Sequence, residues 1–470
     1  MSLLSKMISS NNYNHSILDS IKKSINITFT RLNNMYNNSF IYSLNSYRNE
    51  FIESAKIYNI DTSNIDEYLL MQLKNEYFTE VEKRISYIES IPLIEQKTPE
   101  WFKQRETMIS ASDAGYFLNK CGIARAVDTL KLKVGLKSFV NSGAPSLMHG
   151  NTYEDVSRVI YESRNAVSVT EYGILSSPTM CIGASPDGIV TKCHKDTYQC
   201  QSKFGRLLEI KNPYSREIDN DVKPEYMVQI LQQQYTTGLP ICDFVETTIV
   251  DAYCNTNNSN YKPYMTLNEM LADKLDKTNP TWSNRIKNKN IPDSNLNKFG
   301  NEKGLVLWFN IRITETDNRS KFIVYPIYAP YDIENIEKWI EENKKQQLQL
   351  KYIYLQTKYW RLDVYSEKTV VYNQTLFETE YIPKLCKVWD VITKCNTVKF
   401  EGYDVSRYIE DEEGKTDSPF YNERKRKKKT LIGSSNSNSN SNYNSNSNQS
   451  VFNNTFNSSF KPNKNIELDF

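Results

Sequence analysis

Between Gly183 and Pro213 the sequence reads GASPDGIV, then a polar interval, then LLEIKNP. Asp187 follows a proline in a tight turn, and Glu209 and Lys211 flank a single apolar residue. Side chains on a strand alternate between faces, so Glu209 and Lys211 share one face and Ile210 takes the other. Two carboxylates and one ammonium on one surface suit metal-assisted phosphodiester hydrolysis. The carboxylates are hard oxygen ligands for Mg²⁺, which keeps positions for water and a phosphate oxygen. A bound divalent ion acidifies water and stabilises charge on phosphorus, and a neighbouring lysine orients or deprotonates the nucleophile. Taken alone, E-x-K also describes a surface salt bridge on a hairpin.

Further polar residues lie at positions able to serve such a cluster. In TPEWFKQRETMISASDA, Trp101 and Ile109 read as core anchors, and Ser112 or Asp113 as the cap of the following helix. Arg105 with Ser112 pairs an arginine fork with a hydroxyl near a helix start, a phosphate-binding combination; a cap plus a surface arginine is the plainer reading. In LMHGNTYEDVSRVIYESR, Tyr153, Val156 and Ile160 form the apolar stripe of a helix entered through Gly150. Glu154 lies beside that stripe, facing a site or complementing the helix dipole. KPEYMVQILQQQYTTG opens with Pro224 at a first helical turn. It sets Tyr226, Gln229 and Gln233 on one side, from which Gln229 reaches the cluster.

The elements that must position these residues come from a chain of 470 residues, 39% hydrophobic and 12% aromatic, enough for a sizeable core. The net charge of +2 gives no general attraction to nucleic acid, so DNA binding would need local basic patches. Three histidines, His15, His149 and His194, disfavour histidine-centred mechanisms. The eight cysteines contain no C-x-x-C pair and there is no secretory leader pattern. Reduced thiols in an intracellular compartment are therefore expected. Cys193, His194 and Cys200 lack a fourth zinc ligand at usual spacing. No apolar stretch reaches bilayer-spanning length, so a soluble protein is expected.

Residues 1–97 read as a helical extension, with helical spacing from Asp66 to Ile91. A catalytic domain over 98–400 follows. It contains a motif core at 101–253, an Asn-, Lys- and Pro-rich insertion at 255–303, and strands and helices at 304–400. Within it, strands are expected at Tyr172–Leu175, Cys181–Ala184, Phe244–Tyr253, Gly304–Ile313 and Lys321–Tyr328, and helices at Asp332–Tyr354 and Tyr381–Cys395. The 401–470 tail passes from acidic through the basic run Arg424–Lys429 to a Ser-Asn repeat and cannot bury a core. The basic run reads equally as a nuclear-import signal, a DNA arm or a solvated tract.

With W-x(3)-R-x(3)-I-S-A-S, G-x(3)-E, S-P-D-G, L-E-I-K-N-P and Y-M-x-Q in that order, the chain resembles the lambda-type exonucleases and YqaJ-like viral recombinases of the PD-(D/E)XK nuclease superfamily. The resemblance covers Trp101 to about Tyr253, and the Asn-rich extensions resemble those of large double-stranded DNA viruses. It implies an α/β restriction-endonuclease-like core, a central mixed β-sheet flanked by helices. It implies Asp187 and Glu209 as Mg²⁺ ligands with the Ile210 carbonyl, Glu154 assisting directly or through water, Lys211 positioning water and Gln229 bracing it. Mn²⁺ substitutes at such oxygen sites. Arg105 and Ser112 match positions that grip a terminal 5′-phosphate. The expected activity is 5′ to 3′ exonuclease action on double-stranded DNA in viral recombination, repair or replication-end processing. A single-strand annealing protein is the implied partner and a trimer the implied assembly, working in the host cytoplasm, a viral replication site or the nucleus. One departure is Leu231, where the family often has a second glutamine, with Gln232 one position later. The alternatives are an endonuclease of the same superfamily and a non-catalytic DNA-binding protein.

Overall fold

The computed structural model describes residues 81–92, 94, 96, 98–137, 144–177, 181–219, 221–252, 263–272, 303–311, 320–326 and 329–423. The basic run Arg424–Lys429, most of the N-terminal extension, most of the insertion and the Ser-Asn tail lie outside them. Nearly all the described residues belong to one compact unit, Met1–Tyr421.

In chain order the elements are a helical segment at 81–90, α1 (Pro99–Glu106), β1 (Ile109–Ser110), α2 (Ala111–Phe117) and α3 (Ile123–Lys133). There follow α4 (Pro145–Asn165), β2 (Val167–Thr170), β3 (Leu175–Ser176), β4 (Ile182–Ala184), β5 (Gly188–Cys193), α5 (Tyr198–Gln201) and β6 (Leu207–Lys211). Next come α6 (Pro224–Thr237), β7 (Ile241–Val250), α7 (Leu267–Ala272), β8 (Lys303–Ile311) and β9 (Ser320–Val324). The described fold closes with α8 (Ile333–Gln349), β10 (Tyr352–Val371), a π-helix (Thr375–Tyr381), α9 (Ile382–Phe400) and α10 (Val405–Gly414).

Seven strands form one mixed sheet in the order β2-β5-β6-β7-β10-β8-β9, and β1-β4-β3 form a second, small one. In the large sheet only β6 and β7 run parallel; every other neighbouring pair is antiparallel. The expected mixed α/β sheet flanked by helices is the architecture observed. On one face, α4 lays Tyr153, Val156 and Ile160 against Leu208, Ile210 and Val245, all buried. Each such aliphatic side chain contributes about 1.5–3 kcal/mol of burial. On the other face, Ile230 of α6 meets Leu207, Cys242 and Phe244, joined by Val81, Ile85 and Ile88 from segment 81–90.

Several expectations need correction. Helix α4 begins at Pro145, not Gly150, because proline is well suited to a first turn whose N–H is unpaired anyway. The cap of α2 is Ser110, so Ser112 and Asp113 sit inside its first turn. The strand expected to begin at Phe244 starts at Ile241, and the insertion contains the helix α7. The helix expected to run to Tyr354 ends at Gln349, and Tyr352 opens the 20-residue strand β10. The folded unit also continues past Gly402, where Val405, Ile409 and Phe420 are buried beside Phe117. No described helix is long and apolar enough to cross a membrane.

Candidate active site

Strand β6 sets the centre. Its register with β7 pairs Glu209 with Phe244 and Ile210 with Val245, so Glu209 and Lys211 face α6 while Ile210 packs under α4. The alternation read from the sequence is the one found. The Glu209 side chain is fully buried, and Lys211 Nζ forms a close ion pair with Glu209 Oε1. Asp187 arrives from the Ser185-Pro186 turn before β5. Its backbone N–H donates to Leu208 O at 3.1 Å, and its Oδ2 accepts from Ile210 N at 2.7 Å. The turn is thus hooked to the strand that carries Glu209, bringing Asp187, Glu209, Ile210 and Lys211 together.

Burial and the adjacent charges of Glu209 and Glu154 push the Asp187 carboxyl well above the ordinary carboxylate range. Burial pulls Lys211 down, but the charges of Glu209 and Asp187 outweigh it and leave the ammonium strongly favoured. Glu154 therefore faces this cluster electrostatically. It sits in about the third turn of α4, since a helical turn takes ~3.6 residues, too deep for dipole compensation at the N-terminus.

Gln233, not Gln229, makes the hydrogen bond to Glu209, with Nε2 donating to Oε2 at 2.6 Å. Gln229 lies four residues earlier, half-buried on the same face of α6. The neighbouring Gln232 donates to Ile109 O and Gly183 O, both at 2.9 Å. Gln232 thus ties α6 to β1 and β4. Tyr226 places its ring 5.2 Å from Lys211 Nζ, and Arg216 is ion-paired with Glu246, the register partner of Lys211. Tyr226 belongs to the Y-M-x-Q motif, where its role was legible only as part of the pattern. Arg216 carried no local signal beyond its closeness to Pro213.

Arg105 and Ser112 also meet. Arg105 Nη2 donates to Ser112 Oγ at 2.9 Å and to Ser110 Oγ at 3.0 Å, while its guanidinium lies 4.7 Å from the Trp101 ring centre. Ser110 donates to Asp113 Oδ2 at 2.7 Å, and Lys133 Nζ reaches the Arg105 carbonyl at 2.5 Å. Trp101 and Ile109 are buried as expected. Helix α2 is seated on α6 at Gly115, where a Cβ would come within 2.9 Å of the Glu225 backbone.

Cys193 and Cys200 direct their thiols to the carbonyls of Cys200 and Ala166, and His194 Nε2 lies 2.8 Å from Ser168 Oγ. His149 packs against Tyr153 and Tyr214, and burial lowers its pKa to about 4.

Comparison with known proteins places residues 100–240 on the model of the YqaJ-like viral recombinase domain. An uncharacterized protein of Acanthamoeba polyphaga mimivirus is 30% identical over 369 residues, covering 72% of this chain and 62% of that protein. This chain thus spans less than two thirds of that relative's length. The crystal structure of an alkaline exonuclease (LHK-Exo) from Laribacter hongkongensis is 28% identical, over 32% of this chain and 74% of that one, with a TM-score of 0.26. LHK-Exo in complex with dAMP aligns with the same coverage and TM-score at 27% identity. The segment matched by the YqaJ-like viral recombinase domain holds Arg105, Glu154, Asp187, Glu209 and Lys211.

Proposed function

We propose that this protein is a divalent-metal-dependent DNA exonuclease that hydrolyses linear duplex DNA from a 5′-phosphorylated end. The observation that carries this reading is the pair of carboxylates, Asp187 and Glu209, set beside the Lys211 ammonium on β6, with Glu154 near enough for its charge to act on Asp187. Buried like charges are costly unless a cation relieves them. The donors are hard carboxylate oxygens, which fits Mg²⁺ or Mn²⁺. Asp187 and Glu209 would hold the ion with the Ile210 carbonyl, and Glu154 would act directly or through water. The ion would supply Lewis acidity toward the phosphate and a more acidic bound water.

The chain's own residues do the rest. The Ile210 N–H fixes the Asp187 carboxylate, leaving Oδ1 for a ligand. Gln233 and Lys211 orient Glu209 from opposite oxygens. Lys211, held protonated by the carboxylates, positions the attacking water and supplies positive charge beside the phosphate; Gln229 braces that water. Arg105 and Ser112, already in contact, hold the terminal phosphate through charge-assisted bonds. The product strand would serve an annealing protein in viral DNA recombination, repair or replication-end processing.

The test uses linear duplex labelled at either end, bearing 5′-phosphate or 5′-hydroxyl, beside a closed circle, with Mg²⁺ or EDTA. Stepwise, EDTA-sensitive loss from the 5′-phosphorylated strand with the circle intact is the expected result. Cutting of the circle would make the protein an endonuclease. Binding without cutting would leave a DNA-binding protein.

A further inference from the structure

The Arg105 cluster contains an acid as well as bases. Asp113 Oδ1 lies 3.9 Å from Arg105 Nη2, and its Oδ2 lies 3.7 Å from Lys133 Nζ. Both separations exceed a hydrogen bond. The carboxylate is fastened instead by the Ser110 hydroxyl at 2.7 Å. Lys133 comes from the last turn of α3 and is anchored on the Arg105 carbonyl. Its side chain is 9% exposed, against 29% for Arg105 and 21% for Asp113. Burial lowers the Lys133 pKa, and Arg105 lowers it further, against the pull of Asp113. Two cations thus share one carboxylate, at long ion-pair distance, in a partly exposed cluster.

We propose that Asp113 is a built-in competitor for the terminal phosphate, and that Lys133 is the second cation the phosphate engages. This rests on the end-recognition reading given above. A phosphate monoester carries up to two charges and three acceptor oxygens, and can draw both cations from a carboxylate that pairs with each only at 3.7–3.9 Å. A 5′-hydroxyl cannot, so it meets a cluster already neutralised in part. The competing carboxylate weakens the hold on every phosphate, which favours release after each step. Lys133 is thereby a specificity residue, and Asp113 sets how strongly an end is held.

The discriminating experiment is equilibrium binding of full-length protein in EDTA to duplexes with 5′-phosphate or 5′-hydroxyl ends, with inorganic phosphate as competitor. Thermal melting of each variant accompanies the binding series. Lys133→Gln is expected to lower the phosphate-to-hydroxyl affinity ratio about tenfold, the scale of one charge-assisted hydrogen bond. Asp113→Asn, which keeps an acceptor for Ser110, is expected to tighten binding of phosphorylated ends and of inorganic phosphate several-fold. A purely structural Asp113 would give the opposite sign, weaker binding with a lower melting temperature. An unchanged ratio in folded Lys133→Gln, or weaker phosphate binding in Asp113→Asn, overturns the proposal. Cleavage by the wild type in Mg²⁺ is read in parallel. A chain that cuts while both variants keep the wild-type ratio refutes the role of this cluster alone, whereas a chain that never cuts but shows the shifts refutes the nuclease reading alone.

Discussion

Two buried acidic clusters occupy opposite faces of the same pair of strands. Glu209 faces α6 with Asp187 and Lys211, whereas Asp243, register partner of Leu208, faces α4. Asp243 accepts from Lys203 at 2.7 Å, Arg206 at 2.9 Å, Tyr161 at 2.8 Å and Thr369 at 2.8 Å. Burial would raise its pKa, yet Arg206 and Lys203 hold it far below the ordinary range. Asp187 is raised instead, by burial and by its fellow carboxylates. The fold can therefore neutralise a buried carboxylate completely when its purpose is architecture. The charge on the α6 face is left less compensated, as the raised Asp187 carboxyl records, and the proposed reaction would draw on that difference.

The comparison breaks most visibly through substitution of each acid. Asp187→Asn is expected to reduce Mg²⁺-dependent cleavage by about a thousandfold or more, the equivalent of several kcal/mol of lost metal stabilisation, measured by single-turnover digestion. The same variant should melt no lower than wild type in EDTA, since it removes repulsion. Asp243→Asn should do the reverse. Removing the buried charge that Arg206 and Lys203 share is expected to cost about 3–5 kcal/mol in urea unfolding, with the cleavage rate per folded molecule retained.

Smaller effects sharpen the same contrast. Gln233→Leu frees one Glu209 oxygen from its only glutamine donor among the described residues and should slow cleavage about tenfold, the scale of one hydrogen bond to a charged group. Gln229→Leu should slow it less, because among the described residues no such bond fixes Gln229. The pH dependence of stability in EDTA carries opposite signs for the two acids. Asp243, depressed in the folded state, contributes stability above its unfolded pKa of about 3.9 and loses it as pH falls toward its folded value. Asp187, raised in the folded state, loses stability as pH climbs from about 3.9 toward its folded value. Unfolding series should therefore show the Asp187→Asn advantage growing above about pH 4, and the Asp243→Asn deficit shrinking below it.

What was readable beforehand followed from how locally each feature is encoded. Glu209 and Lys211 are two residues apart on one strand, so strand periodicity alone put them on one face. Arg105 and Ser112 meet across a single turn from α1 to α2. Gln233 stood on the readable face of α6, but which glutamine meets Glu209 depends on how α6 sits on β6, a tertiary quantity. Lys133 reaches Arg105 across 28 residues and left no local trace. The start of α4 was misplaced because Gly150 looked like an entrance, while Pro145 holds the better position. The expected helix overruns into the start of β10 because α8 and β10 are separated by only Leu350 and Lys351.

That late strand bears on how the protein is made. β10 inserts between β7 and β8, pairing with β7 from Ile241 to Val250 and with β8 from Lys303 to Ile311. During synthesis every residue of the family-matched segment leaves the ribosome well before β10 exists. Until then β7 presents an open, apolar edge, the kind of surface that templates aggregation. Pairing across such long sequence separations is also slow to form. A fragment ending at residue 240 would lack β7 and β10 alike, so β6 would itself become a naked edge. The matched segment thus stops short of β7, which covers β6, and of β10, which covers β7, and the C-terminal half of the chain supplies both strands.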